Sequence, residues 1–289
     1  GSPVALGGLD GLHGVFAAAG DQSDSVVGVV GTYEHYHKCL DKPILRKKGL
    51  DSSIICQAHV IKDKYGVYGV AVSSGVLEWF KDNLCREEEI ESKNTGRNIW
   101  EILMEKASKS KLGSNGIFML PDIFGSACPI QDNFSRGVFI GISSAAKKED
   151  FIRAVIEGLN YKGLELYEAI NDYTTTGVAN NENNKKVIVT GGATKNKFWM
   201  QNKADVYGKI IEVPEIEEAT PLGAAMAAGI GIGIYKDFKD AYDRVKRPVK
   251  KYYPDEKNHK KYAEYYKDVY KKMYSSCKDL NKLVSTKIG

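Results

Sequence analysis

Three apolar, strand-like runs in this sequence each end directly at a glycine-marked turn. They are Val4–Leu6 before Gly7-Gly8, Val26–Val30 before Gly31-Thr32, and the KKVIVT run from Lys185 before Gly191-Gly192. A segment of helical character follows the first and the last of these turns. Backbone N–H groups at a turn or at the start of a helix are ready-made donors for phosphate oxygens. The pattern therefore predicts an α/β fold with candidate phosphate-binding turns at its strand ends.

The remaining segments alternate between strand and helix after an initial run of strands. Further strands are predicted at Ile54–Ile61, Val67–Val72, Gly116–Leu120 and Ile210–Val213. Helices are predicted at Leu9–Ala19, Gly75–Leu84, Asn98–Ser108, Phe151–Ile170, Lys197–Tyr207, Leu222–Ala228 and Pro254–Leu280. This order fits a mixed sheet flanked by helices, with a long helix at the C-terminus.

Local signals give some of the element boundaries. Thr220 is predicted as an N-cap and Pro221 as the first residue of the small-residue helix that reaches Ala228. The polar run Asn180–Lys186 predicts a short surface loop. The last helix is expected to pack on the body while lysines face solvent. Its apolar stripe consists of Tyr262, Tyr266, Val269, Met273, Cys277 and Leu280.

Charge and cysteine content exclude several classes of protein. The chain has 41 basic and 37 acidic residues, a net charge of +4 that is too balanced to indicate a nucleic acid partner. Its five cysteines are far apart and form no CxxC pair, which argues against a disulfide framework and indicates a reducing, cytoplasmic compartment. No apolar run reaches transmembrane length, so no membrane partner is expected.

Asp10 lies at the expected start of the first helix, directly after Gly8 and Leu9. The glycine would let a substrate approach the backbone, and a carboxylate at this place could act as a general base toward a substrate hydroxyl. Aspartate is equally a favoured N-cap residue. Spacing alone therefore leaves both roles of Asp10 open.

The other two turns also allow two interpretations each. Gly31-Thr32 can present an N–H and a hydroxyl to phosphate oxygens, or it can form a plain hairpin turn. Small residues at Gly191-Gly192-Ala193 would let a flat adenine ring lie against the backbone, and Asn196 would offer it an amide. Close packing of a helix on a strand explains this glycine pair as well, and the segment matches neither the dinucleotide-binding nor the P-loop motif.

The histidines do not predict a metal site. His35 and His37 share one face of a presumed strand, but no third ligand follows at a suitable spacing. His13, one turn after Asp10, either lines a substrate cleft or packs on the helix face. The sequence therefore predicts no metal site built by protein side chains.

In the order and spacing of these motifs, the chain resembles the C-terminal half of the FGGY carbohydrate kinases, which include xylulokinases, fuculokinases, gluconate kinases and glycerol kinases. The most specific segment is Gly137–Ile142, followed after seven residues by Asp150–Glu157. These two pieces resemble the second signature of the family position by position. The fold that this resemblance implies is an actin-like, ribonuclease-H-like domain.

The resemblance implies a catalytic role for the first turn. The segment Gly7–Asp10 resembles a family motif whose aspartate is the catalytic base. Asp10 would then take the proton from the sugar hydroxyl, with Gly8 and Leu9 beside the substrate. Leu9 stands where the family usually has histidine, which alters the expected sugar pocket.

The resemblance implies that the other turns bind ATP with Mg²⁺. Gly31-Thr32 resembles the second phosphate motif, although Tyr33 replaces a small residue there. Gly191-Gly192-Ala193 with Asn196 resembles the adenosine motif. Ser74-Gly75 resembles a further turn on the nucleotide side, which makes Gly75 another expected contact.

The family also implies a division of the chain. Residues 1–246 are expected to form the nucleotide-binding domain, and residues 247–289 a helical extension packed on it. The N-terminal half of family members carries a DxGT-type phosphate motif and much of the sugar site. Neither feature occurs here, so this chain is expected to lack that half.

The implied activity is transfer of the γ-phosphate of ATP to a sugar or polyol by the whole protein, with this half alone inactive. The missing half would be an obligatory partner, and a homodimer is one option for the assembly. The alternative is a non-catalytic actin-like nucleotide-binding module that acts as a regulator or scaffold. A pure binding module has no need of a carboxylate at Asp10, which favours the kinase.

Overall fold

A seven-stranded mixed sheet lies at the centre of the computed structural model, which describes residues 2–5, 7–20, 25–44, 53–174, 185–245 and 247–288. The strands are β1 (Val26–Val30), β2 (Tyr33–Leu40), β3 (Ile55–Ala58), β4 (Tyr65–Val72), β5 (Phe118–Leu120), β6 (Val138–Ile140), β7 (Lys186–Thr190), β8 (Ile210–Pro214) and β9 (Val249–Tyr252). The α-helices are α1 (Asp10–Ala19), α2 (Ser74–Leu84), α3 (Arg86–Thr95), α4 (Ile99–Lys109), α5 (Lys148–Thr174), α6 (Lys197–Tyr207), α7 (Ala219–Gly231), α8 (Phe238–Val245), α9 (Glu256–Tyr265) and α10 (Lys271–Lys287).

The strand order of the main sheet is β3-β4-β2-β1-β7-β8-β9. The neighbours β1, β7 and β8 are parallel, and every other pair in this sheet is antiparallel. β5 and β6 form a separate antiparallel pair. Because parallel strands end at the same edge, the turns after β1 and β7 lie next to each other. The predicted mixed sheet flanked by helices is confirmed.

Both faces of the central strands are covered. Val26 and Val30 of β1 belong to the main core that includes α5, whereas Val27 packs with Ile188 of β7 against α1. This alternation follows from the two-residue period of a strand. Burial on both faces explains why β1 and β7 are almost continuously apolar in sequence.

The last helix differs from the single predicted helix. A π-helical turn at Tyr266–Tyr270 separates α9 from α10. Tyr262, Tyr266 and Met273 of the predicted stripe are buried, and Tyr270 joins them. Leu280 was expected on the buried stripe but is 64% exposed, and the next residue, Asn281, is buried instead. The long C-terminal helical segment is confirmed, although it continues to Lys287 and not only to Leu280.

Two local features differ from the predictions, and a third prediction falls mostly outside the described residues. Val4 and Ala5 are exposed and belong to no strand, since no neighbouring strand among the described residues pairs with them, and Leu6 lies outside the described residues. Helix α3 was not predicted, because among its ten residues only Glu88 is buried. The loop prediction for Asn180–Lys186 falls mostly on residues outside the described ranges.

The small-residue helix α7 begins earlier than predicted. Its N-cap is Glu218 and not Thr220, so Pro221 is the third helical residue. Proline is tolerated there because the N–H groups of a first helical turn have no partner within the helix.

Within the described residues, none of the helices combines the length and the apolar character that crossing a bilayer requires.

Candidate functional site

The carboxyl ends of β1 and β7 open onto a cavity of about 410 Å³. Four residues predicted from sequence line it: Gly31, Gly192, Ala193 and Asn196. Helices α2, α4 and α6 supply the other walls, with apolar contributions from Leu77, Trp100, Met104 and Trp199. The cavity therefore combines a glycine-rich floor with apolar walls, which is the composition expected for a site that binds an organic ring.

The two tryptophans of this cavity are held in place by polar contacts. The indole N–H of Trp199 donates to Asn160 Oδ1 at 3.0 Å. Lys81 Nζ lies 5.3 Å from the centre of the Trp100 ring, close enough for a cation–π contact. The walls are thus fixed by contacts made outside the cavity.

The turn after β1 is tied to the start of α2. Backbone N–H groups of Ser73 and Gly75 both donate to the carbonyl of Thr32, each at 3.1 Å, and the N–H of Ser74 donates to the carbonyl of Gly31 at 3.0 Å. A Cβ on Gly75 would lie 3.1 Å from Thr32 Cγ2, so glycine allows this close approach. The Gly31-Thr32 turn and the Ser74-Gly75 turn are thus joined to each other by backbone hydrogen bonds.

Thr32 and Gly75 line a second cavity of about 330 Å³ rather than the first. Glu78 of α2 lines both cavities, so they adjoin along this helix. Gly31 and Ser74 therefore line the first cavity, whereas Thr32 and Gly75 line the cavity beside it.

The turn after β7 requires glycine at its first position. Gly191 has φ 103°, and a Cβ there would lie 2.5 Å from the carbonyl oxygen of Val30. The last residue of β1 and the first residue of the turn after β7 are therefore in direct backbone contact. Gly191 lines a third cavity of about 640 Å³, and Gly192 and Lys195 line both this cavity and the first.

Asn196 combines two functions at the start of α6. Its side-chain oxygen accepts a hydrogen bond from the N–H of Trp199 at 3.0 Å, which makes it the N-cap of the helix. Within the described residues its Nδ2 group makes no protein hydrogen bond, and the residue faces the first cavity. An amide donor is therefore available at the cavity wall.

Asp10 is the first residue of α1, and Leu9 occupies the N-cap position. The Asp10 carboxylate is exposed and accepts a hydrogen bond from the N–H of Gly11 at 2.7 Å. The capping alternative is thus not realised, but Asp10 lines none of the three cavities. Burial lowers the pKa of His35, and the negative charge of Asp10 opposes this shift.

His35 lies opposite Val29 in the pairing of β2 with β1, and Val29 lines the third cavity. Asp10 is therefore near the carboxyl end of β1, at the same end of the sheet as the glycine turns. Gly8 is packed against Val60, since a Cβ on Gly8 would lie 2.8 Å from Val60 Cγ1. Leu9 beside it remains partly exposed.

His35 and His37 stack with ring centres 6.1 Å apart. His37 is buried, and neither ring nitrogen has a hydrogen-bond partner within the described residues. Burial, together with His35 and His59, lowers the pKa of His37 to about 3. In the part of the chain that the structure describes, no three histidine, cysteine, aspartate or glutamate side chains are grouped to hold a metal ion.

Several cavity residues were not predicted from sequence. Trp100, Met104 and Leu77 belong to amphipathic helices and gave no signal distinct from ordinary core positions. Lys195 stands within the predicted glycine turn and could have been included as a cation beside a candidate phosphate site. Trp199 lies in the first turn of the helix predicted at Lys197–Tyr207, but nothing in the sequence distinguished it from a core residue.

Residues 26–232 match the model of the C-terminal domain of the FGGY family of carbohydrate kinases. The chain belongs to this family. The matched region runs from the start of β1 to just past the end of α7 and contains the turns after β1 and β7. Asp10 precedes the matched region.

This FGGY kinase domain is similar to curated sugar kinases. It is 30% identical over 282 residues to a xylulose kinase of Staphylococcus epidermidis, a match that covers 94% of this chain and 53% of the relative. A gluconokinase of Bacillus subtilis is 28% identical, with 84% of this chain and 45% of the relative covered. The chain thus spans about half the length of the curated relatives it matches.

Solved structures agree on the fold. A ligand-bound xylulose kinase from Lactobacillus acidophilus superposes with a TM-score of 0.77 at 21% identity, over 93% of this chain and 50% of that one. A gluconate kinase from the same organism gives a TM-score of 0.78 at 22% identity, with the same coverage. The FGGY domain therefore has the actin-like, ribonuclease-H-like fold that the sequence resemblance implied.

Proposed function

We propose that this chain is the nucleotide-binding half of an ATP-dependent kinase that phosphorylates a hydroxyl of a sugar or polyol. The observation that carries the proposal is the cavity at the carboxyl ends of β1 and β7, lined by Gly31 and by Gly192, Ala193 and Asn196. In a member of the FGGY family, these turns provide what an adenine nucleotide needs: small residues beside the ring and backbone donors beside the phosphates.

The residues of the cavity fit an adenine nucleotide. Leu77, Trp100 and Met104 offer apolar surface to a base, and the Asn196 Nδ2 group offers a donor to one of its ring nitrogens. Lys195 places a cation at the junction of two cavities, where a phosphate group would be stabilised. Thr32 would bind the outer phosphates from the neighbouring turn.

ATP, when bound, supplies the phosphoryl group that is transferred. Mg²⁺ usually binds to nucleotide phosphates with only one or two protein carboxylates. Glu78, which lines two adjoining cavities, is a carboxylate in a suitable place to contribute. The protein's main task in phosphoryl transfer is then to position the reactants and to neutralise charge.

Asp10 is proposed as the general base. Its exposed carboxylate can accept a proton from a substrate hydroxyl, and its position at the first turn of α1 holds it in one orientation. Gly8 and Leu9 would lie against the substrate. Because Asp10 lines none of the three cavities, the proposal requires a further surface to enclose the sugar.

That surface is proposed to come from a region of the whole protein outside this chain. The share of the relatives that the chain covers, about half, supports this division. The chain alone is then expected to bind nucleotide weakly and to phosphorylate nothing. Residues 1–246 would be the nucleotide-binding domain, with residues 247–289 packed on it.

The substrate class is proposed to be a ketose or a sugar-like polyol, and the location cytoplasmic. All five cysteines are free, which supports a reducing compartment. A homodimer remains part of the proposal as one form of assembly.

The decisive experiment is a kinase assay of the whole protein against a panel of ketoses, polyols and sugar acids. We expect Asp10→Asn to lower turnover by about a hundredfold to ten-thousandfold, since removing a general base has effects of this size. Nucleotide binding by the same variant should remain near that of the unaltered protein.

Asp279→Asn provides a matched control, because Asp279 is an exposed carboxylate of α10. It should leave turnover unchanged. Full activity of Asp10→Asn would refute the catalytic role. Nucleotide binding without phosphorylation of any compound in the panel would favour the non-catalytic regulator or scaffold.

A further inference from the structure

An ion pair between β2 and α6 is completely buried. Lys203 Nζ of α6 lies 2.7 Å from Glu34 Oε1 of β2, and the two side chains are 0% and 1% exposed. Two tyrosines surround the pair: the hydroxyls of Tyr36 and Tyr207 lie 2.7 Å apart, and Lys203 donates to Tyr207 at 3.2 Å. The charges are therefore embedded in a closed polar cluster within the apolar core.

Lys203 lies on α6, whose first turn lines the first cavity, and Glu34 lies on β2, which follows the turn at Gly31. Glu34 follows Gly31 by three residues, immediately after the turn between β1 and β2. Lys203 follows Asn196 by seven residues, which is two helical turns along the same face of α6. The pair thus connects the phosphate-side turn with the adenosine-side turn.

The surrounding backbone leaves room for this pair only because α5 has a glycine at the contact. A Cβ on Gly163 would lie 2.9 Å from Glu34 Oε2 and would also collide with the Tyr207 hydroxyl. Burial lowers the pKa of Lys203, and the Glu34 carboxylate opposes that effect. Residues of β2, α5 and α6 therefore together accommodate this one ion pair.

Stability alone does not explain such a contact. The cost of removing two charges from water often equals or exceeds their mutual attraction, so apolar residues of similar volume can serve a core at least as well. What a buried pair adds is a defined geometry, because Lys203 is hydrogen-bonded to both Glu34 and Tyr207, and a buried polar network is stable only when its members keep their partners. Here the fixed quantity is the spacing between β2 and α6.

We propose that Glu34 and Lys203 are positioning residues that set the distance between the two nucleotide-binding turns. The inference rests on the proposed function, since it assumes that one nucleotide spans both turns. A ligand that reaches only the adenosine-side turn should then be insensitive to the pair. A ligand that must contact both turns at once should depend on it.

The test compares ADP-Mg²⁺ with adenosine in fluorescence titrations of this chain. The variant is the double substitution Glu34→Gln with Lys203→Met, which removes both charges and nearly conserves volume. We expect its affinity for ADP to fall about tenfold, because small misplacements of binding groups have effects of at least this order. Its affinity for adenosine should stay within a factor of about two.

A second buried pair provides the control. Lys162 Nζ and Asp122 Oδ1 lie 3.4 Å apart with side chains 5% and 0% exposed, and neither residue lines a cavity described above. The variant Asp122→Asn with Lys162→Met makes the same chemical change away from α6. It should leave both affinities unchanged, as long as circular dichroism shows that it is folded.

Glu34→Asp serves as the second variant if the double substitution does not fold, because it keeps the charge and shortens the side chain by one methylene. This variant too should weaken the binding of ADP more than the binding of adenosine. Equal affinity for ADP in the folded variants and the unaltered chain would overturn the inference alone. Absence of saturable ADP binding by the unaltered chain would overturn the proposed function and the inference with it.

Discussion

His37 and His59, beside α1, lie in surroundings that favour the neutral form of the imidazole ring. The N–H of Ile61 donates to His59 Nδ1 at 3.1 Å, a bond that requires this nitrogen to be unprotonated. Burial, with contributions from His13 and Lys64, lowers the pKa of His59 to about 4. His37, stacked on Tyr68 and close to Gly11, has a pKa lowered to about 3.

We predict that the free energy of unfolding falls as the pH is lowered from 7 to 5. In this range the unfolded histidines, with a pKa near 6.5, bind protons, whereas His37 and His59 in the folded chain do not. Protonation therefore favours unfolding, by about 2 kcal/mol for each histidine. Urea titrations at a series of pH values measure the slope.

His37→Leu removes one of the three histidines whose pKa is lowered by burial, and should reduce the loss of unfolding free energy between pH 7 and pH 5 by about 2 kcal/mol. A His37→Leu variant with the pH dependence of the unaltered chain would contradict the prediction.

Residue types could be predicted from the sequence better than residue surroundings. The small residues of the turn after β7 and the amide of Asn196 were identified from their spacing and family pattern. The capping bond from Trp199 to Asn196 and the contact of Gly191 with Val30 were not, because both depend on where separate elements meet. The position of Asp10 outside all three cavities was likewise beyond sequence reasoning.

Among the elements, α6 connects the cavity with the core. Its first turn carries the Asn196 cap and Trp199, and its later turns carry Lys203 and Tyr207. Asp205 on the same helix accepts from the backbone N–H of Asp255 at 2.9 Å, which attaches the start of α9. A change in this helix should therefore affect stability at more than one place.

Lys203→Met alone is predicted to be much less stable than the double variant with Glu34→Gln. The single change leaves the Glu34 carboxylate buried without its cation, which typically costs about 3–5 kcal/mol. The double variant removes both charges and should recover most of that loss. Urea unfolding of the two variants measures the difference, and equal stability of both would contradict it.

The boundaries of elements could be predicted where the sequence provides both a periodic pattern and an end signal. Helix α6 was predicted with its observed bounds, Lys197–Tyr207, and the structure adds its ends: an Asn196 cap and Gly208 in the left-handed conformation. Helix α3 has the sequence REEEIESKNT, which gives no apolar stripe to recognise. The strand predicted at Val4–Leu6 is absent at Val4 and Ala5, because a strand also needs a pairing partner, which local sequence cannot supply.

At the scale of the whole molecule, the C-terminal segment is part of the main core. β9 pairs with β8, and the buried rings of Tyr262, Tyr266 and Tyr270 pack among the residues of α5. The Tyr262 hydroxyl donates to Glu157 at 2.7 Å. The sequence predicted that this segment packs on the body, but not that it completes the sheet.

We predict that a chain ending at residue 246 does not fold cooperatively. Truncation there would remove β9 and expose the apolar surface that the three tyrosines cover, and each large buried side chain contributes about 3–5 kcal/mol. Near-ultraviolet circular dichroism during thermal unfolding detects the loss. A truncated chain that unfolds in a sharp transition at the midpoint of the complete chain would contradict the prediction.

The π-helical turn at Tyr266–Tyr270 fixes the rotational phase of the final helix. Each such turn contains one residue more than an α-helical turn. Deleting a single residue there would restore regular winding and rotate everything that follows by about 100°. Met273 would leave its buried position, and Tyr274 would lose its hydrogen bond to Asp132. Residues can therefore be added or removed at the exposed end of α10, whereas the number of residues in the π-helical turn cannot change by one without displacing these contacts.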